Sequence, residues 1–156
     1  MLVITIPGKR TLELVHLVLD LNGTIAENGA LVRGVAKRLH RLRKQLTLHL
    51  VTADTRGGAA RLAHHLGLNL HRVEQPGEVE QKAEVITRLG PQTTVAIGNG
   101  ANDVAMLKRS VLGIAVLGKE GMCPAILSVS DVLVREVNDG LDLLLFPDRL
   151  IATLRE

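Results

Sequence analysis

The chain of 156 residues has no tryptophan, no tyrosine and a single phenylalanine, Phe146. Its core must therefore be aliphatic, and a nucleic-acid surface that stacks bases on aromatic rings is disfavoured. The one cysteine, Cys123, cannot close an internal disulfide. No apolar run reaches the roughly 18 residues that span a bilayer. Residues 1–7 lack the charged head and long apolar stretch of a secretory leader. Together these absences set the expectation of a cytoplasmic protein with no membrane partner. Charge is not in large excess either: the net value is +3 and the pI about 9.4, too mild to signal nucleic acid by itself.

What is present is apolar substance: 46% of residues are hydrophobic and the mean hydropathy is +0.22, which excludes disorder. The length fits one domain over residues 1–156. Basic residues cluster at Arg33, Lys37, Arg38, Arg41, Arg43 and Lys44, around Val32, Val35, Leu39 and Leu42 at helical spacing. Such a helix buries one stripe and most often only solvates its cationic face. The histidines show no metal-ligand spacing and read as structural.

Along the chain, residues 2–6 and 11–19 read as the two strands of an opening hairpin. A helix follows over 32–44, a buried strand over 46–51, a helix over 57–66 closed by Gly67, and a strand over 68–73. Pro76-Gly77 breaks the chain before a helix over 78–89. The strand at 93–97, a short helix ending near Leu107, strands over 111–116 and 131–134, and helices on either side of Pro147 complete the order. Alternating short strands and helices predict an α/β domain, a three-layer doubly wound parallel sheet preceded by the hairpin. In such sheets ligands bind at the carboxyl ends of the strands. The apolar run that ends at Leu19 is cut off by Asp20 and a turn-forming Asn22-Gly23 pair, so Asp20 sits where a catalytic group belongs.

Four stretches in one order carry a resemblance. Asp20-Leu21-Asn22-Gly23-Thr24, then Thr52 after 48–51, then Lys82, then Gly98-Asn99-Gly100-Ala101-Asn102-Asp103 resemble the motifs of the haloacid dehalogenase superfamily, within it the capless soluble hydrolases similar to the phosphorylation domain of P-type ATPases. The resemblance implies an aspartyl-phosphate mechanism, with Asp20 as nucleophile. It implies Mg²⁺ held by Asp20, the Asn22 carbonyl, Asn99 and Asp103. Thr52, Ala53, Lys82 and the close-packing Gly23 would bind the phosphoryl oxygens of a phosphorylated substrate. Taken singly, a threonine at a strand end more often caps a helix and a helical lysine is more often solvated. Four such sites in one order argue against coincidence.

Two residues depart from the family pattern. Asn22 stands where its hydrolases usually carry the Asp that acts as general acid and base, and an amide does neither. Asn99 replaces a usual magnesium-binding Asp. Slow turnover is the expectation. The alternatives are a degenerate member that binds phosphate or metal without useful turnover, as a sensor or assembly module, and a binder of nucleic acid or anionic partners through the basic helix. Residues 24–32 leave room only for a flap, and 52–82 hold one helix and one strand, so no cap domain is expected. An open site implies a large substrate or a homo-oligomer, dimer or tetramer, in which a neighbour covers it.

Overall fold

The computed structural model describes residues 1–54 and 57–156. Its centre is a six-stranded, all-parallel sheet of β3 (His16–Asp20), β6 (Thr47–Thr52), β7 (Asn69–Arg72), β8 (Thr94–Gly98), β9 (Leu112–Val116) and β10 (Val132–Val134), in the order β10-β9-β8-β3-β6-β7. The hairpin is β1 (Leu2–Thr5) with β2 (Thr11–Leu14). The flap is β4 (Ala26–Glu27) with β5 (Ala30–Leu31).

The run over 11–19 is not one strand, as its composition suggests. It breaks at Val15, whose N–H bonds the Thr93 carbonyl at 2.8 Å while its own carbonyl accepts the Thr47 N–H at 2.9 Å. The hairpin thereby forms a separate sheet that turns Leu2, Ile4, Leu12 and Leu14 into the core. Val3 and Glu13, the alternate positions, face outward.

Helices α1 (Val35–Leu42), α2 (Gly58–Leu66), α5 (Val137–Leu145) and α6 (Pro147–Leu154) pack their apolar stripes against one side, with Leu17, Leu19, Leu48 and Leu50 of the sheet. On the other side lie α3 (Glu78–Leu89) and α4 (Val104–Arg109), over Val18, Val51 and Ala96. The basic helix is shorter than its pattern suggests. It starts after Gly34, and the Arg38 guanidinium is tied bidentately to Asp142 of α5 at 2.9 and 2.8 Å. α2 ends at Gly67 and α3 runs over 78–89, both as the sequence predicts.

From β3 the chain moves through β6 to β7 on one side. It then returns across β3 to build β8, β9 and β10 on the other. β3 is thus the strand at which winding reverses, and the carboxyl end between its neighbours is where such a sheet opens a crevice. Insertions there are small: the flap after β3, and α2 with β7 between β6 and α3. Among the described residues there is no insertion of cap-domain size.

Candidate active site

Asp20 ends β3 among buried apolar residues and is 6% exposed. Its Oδ1 accepts a hydrogen bond from Lys82 Nζ at 2.7 Å, and its Oδ2 accepts one from Thr24 Oγ1 at 3.2 Å. Lys82, in the second turn of α3, is fully buried, and its ammonium also donates to Asp103 Oδ1 at 2.8 Å. Glu78, one turn earlier on α3, comes within 3.5 Å of the same nitrogen. Three carboxylates thus surround one ammonium.

The electrostatics follow from that count. Burial foremost, then the neighbouring Asp103 charge, push Asp20 up to about 7 from 3.8, with Lys82 opposing. Burial alone would lower Lys82, yet Asp20 and Asp103 together raise it above its ordinary value, so the ammonium stays charged. Glu78 is also partly buried, which disfavours its charge. Hydrogen bonds from Gln75 and Asn102 and the Lys82 charge outweigh burial and hold it below the usual carboxylate range.

The loop after β8 is shaped by Asp103. Its Oδ2 accepts the N–H groups of Asn99 and Gly100, both at 3.0 Å, while Oδ1 meets Lys82. Gly98 is required beneath it, since a Cβ there would lie 2.6 Å from the Asp103 carboxyl carbon. Asn99 is turned by two contacts: its Nδ2 donates to the Gly121 carbonyl at 3.1 Å, and its Oδ1 accepts the Thr24 hydroxyl at 3.3 Å. Gly23 has φ +76, and a Cβ on it would stand 2.4 Å from Asn99 Nδ2. The first and fourth motif loops therefore touch through a position only glycine fills.

A cavity of about 530 Å³ opens over this cluster, lined by Asp20, Asn22, Thr52, Ala53, Glu78 and Asn102 among others. Thr52 Oγ1 accepts the Asp54 N–H at 3.1 Å, which leaves its own proton to donate elsewhere. Asn22 is exposed at the cavity wall, and its backbone bridges to Ala26 at the base of the flap.

The sequence-predicted residues Asp20, Asn22, Gly23, Thr52, Ala53, Lys82, Asn99 and Asp103 thus gather at the ends of β3, β6 and β8 and the start of α3. Asp103 has both oxygens engaged by Lys82 and the loop N–H groups, so it acts on a metal only through those partners or at their expense. Sequence reasoning missed Thr24 as the link between Asp20 and Asn99, and missed Glu78, Gln75 and Asn102 in the wall. Thr24 lay within the first motif. Glu78 carried a signal of its own, an acid four residues before Lys82 on one helical face.

A hard divalent cation suits the donors present. Asp20, the Asn22 carbonyl and Asn99 Oδ1 are all oxygens. Thr24 Oγ1 lies 3.2 Å from Asp20 Oδ2 and 3.3 Å from Asn99 Oδ1, its single proton shared between them, so these two oxygens sit on either side of one hydroxyl. The surplus of carboxylate over ammonium is a deficit that a cation makes good.

The family model described as haloacid dehalogenase-like hydrolase matches residues 5–110. An uncharacterized protein of Methanocaldococcus jannaschii is 50% identical over 62 residues, 40% of this chain and 67% of its own length. The phospholipid-transporting ATPase tat-1 of Caenorhabditis elegans is 33% identical over 91 residues, which are 56% of this chain but 8% of that transporter. Among solved structures, the 3-deoxy-D-manno-octulosonate 8-phosphate phosphatase of Moraxella catarrhalis, determined with magnesium, phosphate and sugar acid, superposes with a TM-score of 0.72. That match is 18% identical and covers 92% of this chain and 94% of that one, a likeness of fold. No helix among the described residues is long and apolar enough to cross a membrane. With more than half of the chain matched by the family model, and the four motifs gathered at one crevice, the chain belongs to the haloacid dehalogenase-like hydrolases.

Proposed function

We propose that the protein is a cytoplasmic, Mg²⁺-dependent phosphatase or phosphotransferase that works through an aspartyl phosphate on Asp20. The observation that carries this reading is the buried Asp20 carboxylate at a strand end, 2.7 Å from the buried Lys82 ammonium, under an open polar cavity. An Asp20 oxygen attacks the phosphorus of a bound substrate while the leaving oxygen departs in line with it, giving the acyl phosphate. Mg²⁺, when bound by Asp20, the Asn22 carbonyl and Asn99 with Asp103 behind them, neutralises phosphoryl charge and favours ionised Asp20. The Thr52 hydroxyl, with the adjoining Ala53 backbone, binds equatorial oxygens, where charge accumulates in the transition state, and the Lys82 ammonium beneath Asp20 reaches one by giving up a carboxylate partner. Asp103 and Thr24 position Lys82, Asn99 and Asp20.

The position next to Asp20 offers no general acid: the Asn22 amide does not transfer a proton, and Glu78 is held ionised by its partners. Leaving groups that depart without a proton, such as acyl phosphates, are therefore favoured over alkyl esters, and hydrolysis of the phosphoenzyme is slow. This observation favours a second reading, in which the site binds phosphate and metal but does not turn over usefully. The crevice lacks a cap, so a large substrate or a second copy of the chain covers it.

The test is release of inorganic phosphate from acetyl phosphate and from p-nitrophenyl phosphate, with Mg²⁺ and with EDTA. The proposal expects metal-dependent release, faster from acetyl phosphate and lost in Asp20→Asn. Binding of phosphate without any metal-dependent release selects the second reading.

A further inference from the structure

A second cavity, of about 380 Å³, opens between the flap and α2 and runs into the first, with Asn22, Gly29 and Asp54 lining both. Its character is different. Where the first is walled by carboxylates, amides and a hydroxyl, the second has Leu21, Leu31, Ala59 and Leu62 along it. Leu21 and Ala59 are buried by the core behind them, so this wall is held in place by packing.

Arg61 and His65 close the α2 side. Spaced i,i+4, they stand on one face of the helix, one turn apart, and both are exposed. Among the described residues Arg61 takes part in none of the ion pairs, whereas Arg10 and Arg38 each hold a carboxylate. α2 contains no acidic residue. The continuous crevice therefore has three zones: a phosphoryl site at Asp20, an aliphatic stretch under the flap, and a cationic end.

We propose that the second cavity is the leaving-group subsite, and that the substrate class is a phosphate compound whose leaving group has an aliphatic segment ending in a second anion. The proposal rests on the reading of Asp20 as the phosphoryl site. Arg61 supplies a planar pair of N–H donors that matches a carboxylate or a phosphate. His65 adds a further donor. The aliphatic wall takes the intervening chain, and Arg61 and His65 on the α2 side set the anion at that end. Leu31 on the flap covers the chain. The subsite thus offers recognition in a site that no cap domain encloses.

The test uses non-hydrolysable alkylphosphonates, so that slow turnover does not enter. Three series of matched chain length, ending in a methyl, a carboxylate or a second phosphonate, are titrated by calorimetry into the Mg²⁺-loaded protein. The proposal expects one or both anion-ended series to bind about tenfold tighter than the methyl-ended one at a preferred length. The two anionic arms identify which group Arg61 takes. In Arg61→Ala the preference for the anionic end disappears, and in Arg61→Lys it returns in part. Equal affinities for all three ends, or a preference that survives in Arg61→Ala, overturn the proposal. Phosphoryl labelling of Asp20 by acetyl phosphate is measured alongside. Its failure condemns the reading of the site, whereas labelling without an anionic preference condemns the subsite alone.

Discussion

Acidification is expected to loosen the β3–β6–β7 side of the sheet, because three imidazoles are joined there in series. His16 Nδ1 lies 3.1 Å from His49 Nε2, and His49 Nδ1 lies 2.9 Å from His71 Nε2. The middle ring is 4% exposed. Protonated, it would carry N–H on both nitrogens and would need both neighbours to accept, in a place where charge is poorly solvated. Burial foremost, then His71 and His16, push His49 down to about 4 from 6.5. Burial lowers the flanking pair as well, with Arg88 of α3 adding to the effect on His71. The unfolded chain takes up a proton near the ordinary value and the folded chain only near 4, so stability is intact above about pH 6.5 and is lost as pH falls through that window. Between about pH 7.5 and about pH 4.5 the loss from His49 alone is about 2.5 kcal/mol. Asp20 works in the opposite sense. Raised to about 7, its carboxylate takes up a proton in the folded state first, and the stability gained on acidification is of the same size as the His49 loss and hides it in the net stability. The assay is therefore a difference: urea unfolding of the parent and of His49→Gln across that pH range. The parent's advantage over the variant is expected to shrink by about 2.5 kcal/mol on acidification. A difference that stays constant with pH refutes the argument.

Asn22→Asp supplies the proton donor and water base that the Asn22 amide cannot be, and turnover of alkyl phosphates is expected to rise by about 10-fold or more. An unchanged rate would place the limit elsewhere. Lys82→Met leaves Asp20 and Asp103 buried without their shared cation, with an expected loss of about 3 kcal/mol in denaturant unfolding. A variant as stable as the parent contradicts the charge count. Gly23→Ala forces a Cβ against the Asn99 amide at φ +76. Calorimetry is expected to show weakened Mg²⁺ binding, at a cost of about 1–3 kcal/mol in stability. Parent-like metal binding would remove Asn99 from the donor set.

Sheet and helix order were legible because the buried strands are short aliphatic runs and turn signals bound the helices, as at Gly67 after α2 and at Pro76-Gly77 before α3. The break at Val15 was not. Nothing in an unbroken apolar run marks where one strand leaves a hairpin for the central sheet, since the cause is the long-range pairing of Val15 with Thr93 and Thr47. The site was legible as a set of residue types at strand ends. Its wiring was not: Asp103 spends both oxygens on Lys82 and on backbone N–H groups, and Thr24, beside Asp20, reaches Asn99 75 residues further on. The histidine series was invisible for a similar reason. His16, His49 and His71 become neighbours only through the registers that set His49 opposite Val18, and His71 opposite Val51.

Covalent capture at Asp20 tests the central claim most directly. The protein is incubated with acetyl phosphate and Mg²⁺, quenched in acid, and followed by intact mass and peptide mapping. The account predicts a single added phosphoryl group on Asp20, absent with EDTA and absent in Asp20→Asn. A phosphoryl group mapped to another residue, or formed equally well without metal, would contradict it.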